Sequence, residues 1–308
     1  MADVTYASLK NKKQPSEHKR RVRIDSRAIL LSLPALITVL ALFFYPLIFG
    51  LDVSFRQTEN APNWSLTNYL QFFQNPDMVE TIWTTFRVAL PVTLFSVAVS
   101  VPLAYFMRRG IKFERLLTAM LILPITLGTV MVAQAMLSYF APNGWFNRVL
   151  LSLHIIQQPI LLLHHLIAVE IALFIQGFPF TFLLILGYMS AINPDLERAS
   201  RMLGGRSWQT FWRIIFPLSL PGIAVAFCLN FVANFSVFPT ANLVGDPSRE
   251  TRVLSIAAYE TAFTNYNIPL GTAIALIMGV IELLVIGLVL WLQSRMARSA
   301  AISGGKGA

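Results

Sequence analysis

The sequence predicts an all-α integral membrane protein with six spanning helices, and three observations predict it. Of the 308 residues, 56% are hydrophobic and only 13% are charged, more apolar side chain than a water-soluble domain of that length readily hides. The apolar residues gather in six blocks, each close to the roughly 20 helical residues that cross a hydrocarbon core of about 30 Å. Finally, 19 of the 24 Lys and Arg fall on one side of the alternation that six crossings impose, as the positive-inside rule requires.

Residues 1–27 form a basic tail with eight Lys and Arg, and the first apolar block, Ala28–Leu51, follows it. That block is longer than the core of a usual secretory signal, carries large aromatics and is followed by no small-residue cleavage pattern, so it reads as a retained first helix. The second and third blocks, Phe86–Phe106 and Leu116–Phe140, flank a tight turn holding Arg108, Arg109, Lys112 and Arg115. The fourth is Ile167–Tyr188. A long segment of mixed polarity, residues 191–217, with Arg198, Arg201, Arg206 and Arg213, leads into the fifth, Phe216–Phe238, and the sixth is Leu270–Leu292. The spanning domain therefore covers residues 28–295, and residues 296–308 are a second short tail. Every block is apolar around its whole circumference, without the alternation of a barrel strand. The charge pattern places both termini and both basic loops in the cytoplasm, so nucleic acid is not needed to explain a net charge of +9.

The remaining connections carry turn chemistry (Asn60-Ala61-Pro62-Asn63, Asn75-Pro76-Asp77, Pro142-Asn143-Gly144, Gly245-Asp246-Pro247) and read as short caps over helix ends. The lone Cys228 lies in a span and reads as a small buried hydrophobe. His154, His164 and His165 lack the spacing of a metal-binding helix, and no Gly-rich phosphate loop is present; no metal site is expected, and any ATP would be bound by a partner. No repeat relates the first three spans to the last three, which argues against a stand-alone secondary transporter.

The segment of residues 191–217 carries the functional reading. Asn193 or Asp195 can cap a short helix with Pro194 at its start, and Gly204-Gly205 ends it. A second helical piece, Ser207 to Ile215, follows and enters the membrane at Pro217. Leu196, Ala199 and Leu203 share one side of the first piece, as do Trp208, Phe211, Trp212 and Ile215 of the second. Periodicity leaves two readings open, an interfacial amphipathic helix and a helix that seats on a soluble protein through its Trp and Arg residues.

This stretch resembles the EAA loop of bacterial binding-protein-dependent ABC importer permeases, whose pattern is Glu-Ala-Ala, three residues, Gly, nine residues, Ile, one residue, Leu-Pro. Gly204, Ile214 and Pro217 meet the spacing, and Ala199 takes the first Ala. Arg198 stands for Glu, with Glu197 adjacent, Ser200 for the second Ala and Phe216 for Leu. Tyr45-Pro46-Leu47, Asn68-Tyr69 with Phe72, Leu123-Pro124, Asn143-Gly144-Trp145, Asn242 to Pro247 and Pro269 to Ala273 are similar in kind to the polyamine-type branch.

The resemblance implies a type I importer permease fold in the bacterial inner membrane, not an enzyme. It implies three partners besides lipid: an ABC ATPase dimer that binds the ATP, a second permease subunit of different sequence, and a periplasmic or lipid-anchored solute-binding protein. Glu197, Arg198, Ala199, Ser200, Leu203, Gly204, Trp208, Ile214 and Pro217 would form the ATPase-coupling loop. The expected solute is a polyamine or similar small organic molecule, with a sugar-type importer as the alternative and a secondary transporter as the rival of another class. Polar groups inside spans are costly and mark candidate pathway residues: Glu170, Asn230, Asn234 and Glu282 foremost, with Thr126, Gln134 and Gln176. Either carboxylate could instead pair with Arg87, and the amides could serve as interhelical hydrogen bonds.

Overall fold

The computed structural model describes residues 26–58, 63–110 and 114–304. The basic tail through residue 25, the Asn60-Ala61-Pro62 turn, Lys112 and Lys306 lie outside the described residues. Among those described, the chain is helical apart from one isolated bridge between Arg56 and Trp64. Six helices are long and apolar enough to cross a membrane.

The chain divides into two units at Phe49–Gly50. The first holds helix α1 (Ser26–Ser54) as far as Phe49, an apolar rod with Pro34 and Pro46 inside it.

The second unit begins with the last turn of α1. Buried Asn68, on α2 (Thr67–Gln74), donates to the carbonyls of Ser54 and Arg56, both at 2.8 Å, and so ties down the chain leaving that turn. Asn75 caps α3 (Pro76–Met107): its Oδ1 accepts the Asp77 N–H at 3.0 Å, and Pro76 occupies the first turn, where its missing N–H costs nothing. The helix thus starts ten residues before the predicted second span. At 1.5 Å per residue it is about 48 Å long, and its first turns carry Asp77, Glu80 and several threonines, which hide them from a hydropathy reading.

After α3 come α4 (Glu114–Phe140), α5 (Trp145–Ser152) and α6 (Leu166–Ser190). Gly128 interrupts α4 with φ +74°, a conformation cheap only for glycine. The core of the unit is α3 packed on α6 and α9 (Phe216–Phe235). Small buried residues on α3, among them Thr93, Ser96, Ser100 and Ala104, let the backbones approach. Where α6 meets α9, a Cβ on Gly177 would lie 2.5 Å from Asn230 Oδ1, so even a methyl group there would push the Asn230 side chain aside. Three apolar clusters fill the unit: Val88, Val169 and Val237 near the start of α6, Phe182, Ile185, Met189 and Phe211 near its end, and Phe72, Phe231 and Phe235 toward α12 (Ile268–Gly304).

The connections contain structure of their own. Asn147 of α5 holds residue Ile160 by both backbone groups, at 2.8 and 3.0 Å. His164 is held to the segment after α10 (Pro239–Val244), its N–H bonding to Val244 O at 2.9 Å and its Nδ1 lying 3.0 Å from Gly245 O. A short α11 (Leu254–Tyr259) and one π-helical turn lead into α12, which runs well past the predicted end of the sixth span.

Candidate functional site: the loop between the fourth and fifth spans

The loop is built around a short helix, α7 (Asp195–Met202). Asn193 Oδ1 accepts the Asp195 N–H at 2.9 Å, and Asp195 and Glu197 in the first turn face the positive end of the helix dipole, with Arg201 in the last turn. The helix stops at Gly204, whose φ of +81° suits glycine and few other residues. The Gly204 N–H bonds to Arg201 O at 3.0 Å and the Gly205 N–H to Ser200 O at 2.9 Å, the paired closure of a Schellman turn. The Gly204-Gly205 signal therefore has a backbone cause.

Beyond the turn, the expected second piece runs without a break into the fifth span. Ser207 to Phe235 is one continuous helix of 29 residues, comprising α8 (Ser207–Thr210), a π-helical turn (Phe211–Ile215) and α9. In the wide turn the Phe216 N–H reaches back to Phe211 O. Pro217 supplies no N–H and crowds the carbonyl four residues earlier, and a widened turn just ahead of it absorbs that conflict. Ser200, the departure from the second Ala of the pattern, bonds to Thr210 at 2.8 Å, and Thr210 donates to Arg206 O at 3.2 Å. It therefore joins α7 to α8 directly.

The faces of α7 are reversed from those of an ordinary surface helix. Its one buried residue is Glu197, at 5% exposure, while Met202 and Leu203 stand out at 83% and 90% and Trp208 at 70%. Arg108 and Arg109, at the end of α3, converge on Glu197: Arg108 Nη1 is 3.3 Å from Oε1 and Arg109 Nη2 is 3.3 Å from Oε2, with Arg201 of the same helix at 3.2 Å. Arg108 is itself buried and donates to Ile192 O at 3.1 Å, and Arg109 lies over the Tyr105 ring and donates to its hydroxyl. The contact of Arg108 Nη1 with Glu197 Oε1 is one of charge, with no aligned hydrogen bond, whereas Arg109 and Arg201 both donate to Oε2. The carboxylate thus bolts α7 to the turn after α3: the Glu197–Arg108 pair is buried, and Arg109 and Arg201 close over it from the exposed side.

Arg198, at the Glu position of the pattern, is exposed and pairs at 2.9 Å with exposed Asp195. Ala199 and Gly204 are exposed, and Ile214 and Pro217 are half-buried under the loop beside buried Phe211 and Ile215. The aromatic side of the second piece therefore splits, Phe211 and Ile215 turning inward while Trp208 and Trp212 stay out.

The candidate pathway residues separate as well. Asn230 and Asn234 are buried at 2% and 3%. Asn234 donates to Thr93 Oγ1 at 3.1 Å and to Asn230 Oδ1 at 3.3 Å, joining α9 to α3, while Asn230 Nδ2 has no partner. Glu170 and Glu282 are half-buried, and neither pairs with Arg87. Thr93 and the Arg108–Arg109–Glu197 cluster are the elements that sequence reasoning missed. The Arg-Arg pair was visible as a charge signal, but nothing along the chain names its partner.

Long apolar helices around a core of α3, α6 and α9, with a rigid exposed loop ahead of the fifth span, define the class: a membrane permease subunit. Residues 96–298 match the family described as binding-protein-dependent transport system inner membrane component, and the chain belongs to that family, whose members are ABC importer permeases and not enzymes. It is a multi-pass inner-membrane protein. The spermidine/putrescine transport system permease protein PotB of Haemophilus influenzae is 27% identical over 72% of this chain and 77% of its own length. The trehalose transport system permease protein SugA of Mycobacterium tuberculosis is 27% identical over 82% of this chain and 83% of its own. Among solved structures, a bacterial ABC transporter involved in the import of the acidic polysaccharide alginate matches with a TM-score of 0.75 at 21% identity, covering 88% of this chain and 96% of that one. The MetNI methionine ABC transporter matches with a TM-score of 0.53 at 19% identity, covering 72% and 95%.

Proposed function

We propose that this permease forms half of a solute pathway and that α7, with the start of the fifth span, is the surface on which a separate ATPase seats. One observation carries this reading: Met202 and Leu203 at the end of α7 and Trp208 on α8 face outward, while Glu197 of α7 is locked into the protein. Large apolar and aromatic side chains held rigidly outside are the residues that anchor a protein contact, and a stiff mounting is what transmits a stroke. The ATP belongs to that partner, and both termini lie with it in the cytoplasm, following the Lys and Arg asymmetry. A periplasmic or lipid-anchored binding protein delivers solute on the opposite face, and a homologous permease of different sequence supplies the second half of the pathway. The solute is a polyamine or a similar small organic amine. The two relatives above, one for polyamines and one for a sugar, are equally identical to this chain, so this choice rests on motif resemblance and on the carboxylate at Glu170.

Co-expression with the ATPase encoded beside it and purification through a tag on the permease test the proposal. Stoichiometric ATPase is expected with the wild type and none with Gly204→Pro, which breaks the turn, while Leu203→Asp weakens capture by roughly tenfold or more. A folded wild-type permease that retains no ATPase sinks the reading.

A further inference from the structure

Helices α3 and α6 lie side by side, and the surface between them is hollowed at two successive depths. The outer hollow, about 690 Å³, is lined by both signs of charge, Asp77, Glu80 and Glu250 with Arg87, Arg249 and Arg252, and reaches Leu166 on α6. One helical turn further along each helix, Pro91 and Glu170 open a second groove of about 390 Å³. Its other walls are Val92, Phe95, Ile171 and Phe174, with the Phe95 and Phe174 rings 4.9 Å apart at 52°. Glu170 is the one charged residue among the described residues that line it.

A carboxylate inside a spanning segment is costly unless something compensates it, and this one has no hydrogen bond or ion pair among the described residues. Arg87, one turn outward, does not reach it. The surroundings select what could. An anion is repelled. A neutral polyhydroxyl solute needs several hydrogen-bonding groups, and the walls offer hydrocarbon and ring faces. An ammonium group suits the groove: the carboxylate supplies the opposite charge and the ring faces add cation–π attraction.

We propose that this groove is a cation subsite on the translocation path, binding an ammonium group of the solute at Glu170 beside Phe95 and Phe174. The inference rests on the importer reading above and adds the charge and location that the solute must satisfy. It is tested on the complete importer, this chain assembled with its ATPase, partner permease and binding protein in liposomes, by ATP-driven uptake of radiolabelled putrescine. Glu170→Gln is expected to raise KM for putrescine by roughly tenfold or more. Glu170→Asp, which keeps the charge, should stay within about threefold of wild type, and Phe174→Leu, which keeps the carboxylate and removes a ring, should raise KM by about threefold. Rescue by Asp separates cation recognition from mere damage to packing. A Glu170→Gln importer within twofold of wild type overturns the proposal. So does a wild-type importer that carries trehalose and not putrescine, an outcome that leaves the importer reading standing, whereas that reading itself fails if no ATPase assembles with the chain.

Discussion

Glu197 and Glu170 are both carboxylates set among apolar helices, and the protein treats them in opposite ways. Glu197 meets three arginines within 3.3 Å and is sealed from solvent. Glu170 stands in an open groove with no partner of its own. A buried charge that is matched within the chain serves position, because its binding capacity is already used. An unmatched one inside a span costs stability continuously and remains available to whatever cation enters. The contrast separates a charge that holds position from one that stays available.

The comparison breaks most visibly at Glu197. Glu197→Ala leaves the buried Arg108 uncompensated while Arg109 and Arg201 stay in solvent, so it should lower unfolding free energy by about 3 kcal/mol, read as a drop in thermal midpoint in detergent. Arg108→Ala in the same chain should restore part of the loss, since the double variant no longer buries an unmatched charge; a strictly additive double variant would remove Glu197 from its positioning role. Glu170→Gln, in contrast, should leave the thermal midpoint level or higher. A smaller effect is expected at the neutral buried pair: Asn234→Ala should cost about 1 kcal/mol, with a Thr93 coupling of the size found for interhelical hydrogen bonds, about 0.6 kcal/mol. The smallest belongs to the exposed Arg198–Asp195 pair, where Arg198→Ala should change stability by less than about 0.5 kcal/mol, although Arg198 fills the acidic position of the family pattern.

Much of this was legible in the linear chain because its cause is local. Six spans follow from the length of each apolar run, the end of α7 from Gly204-Gly205, and the disturbance ahead of the fifth span from Pro217. The outer ten residues of α3 escaped because threonines and carboxylates lower local hydropathy while Asn75-Pro76-Asp77, a cap read as a turn, starts the helix. The second loop piece was read as entering the membrane at Pro217; that one π-helical turn carries it unbroken into the fifth span could not be read from the chain.

What the sequence by itself determined is the membrane class, the place of the loop and the chemistry available in it. Tertiary structure alone decided which way each polar residue faces. Arg109 and Glu197 are 88 residues apart and Thr93 and Asn234 are 141 apart, so the field that turns a carboxylate inward or leaves it open arises only when α3, α6 and α9 pack together. Helical periodicity fixes which residues share a face. It is the neighbouring helix, through charge and close contact, that fixes what that face is for.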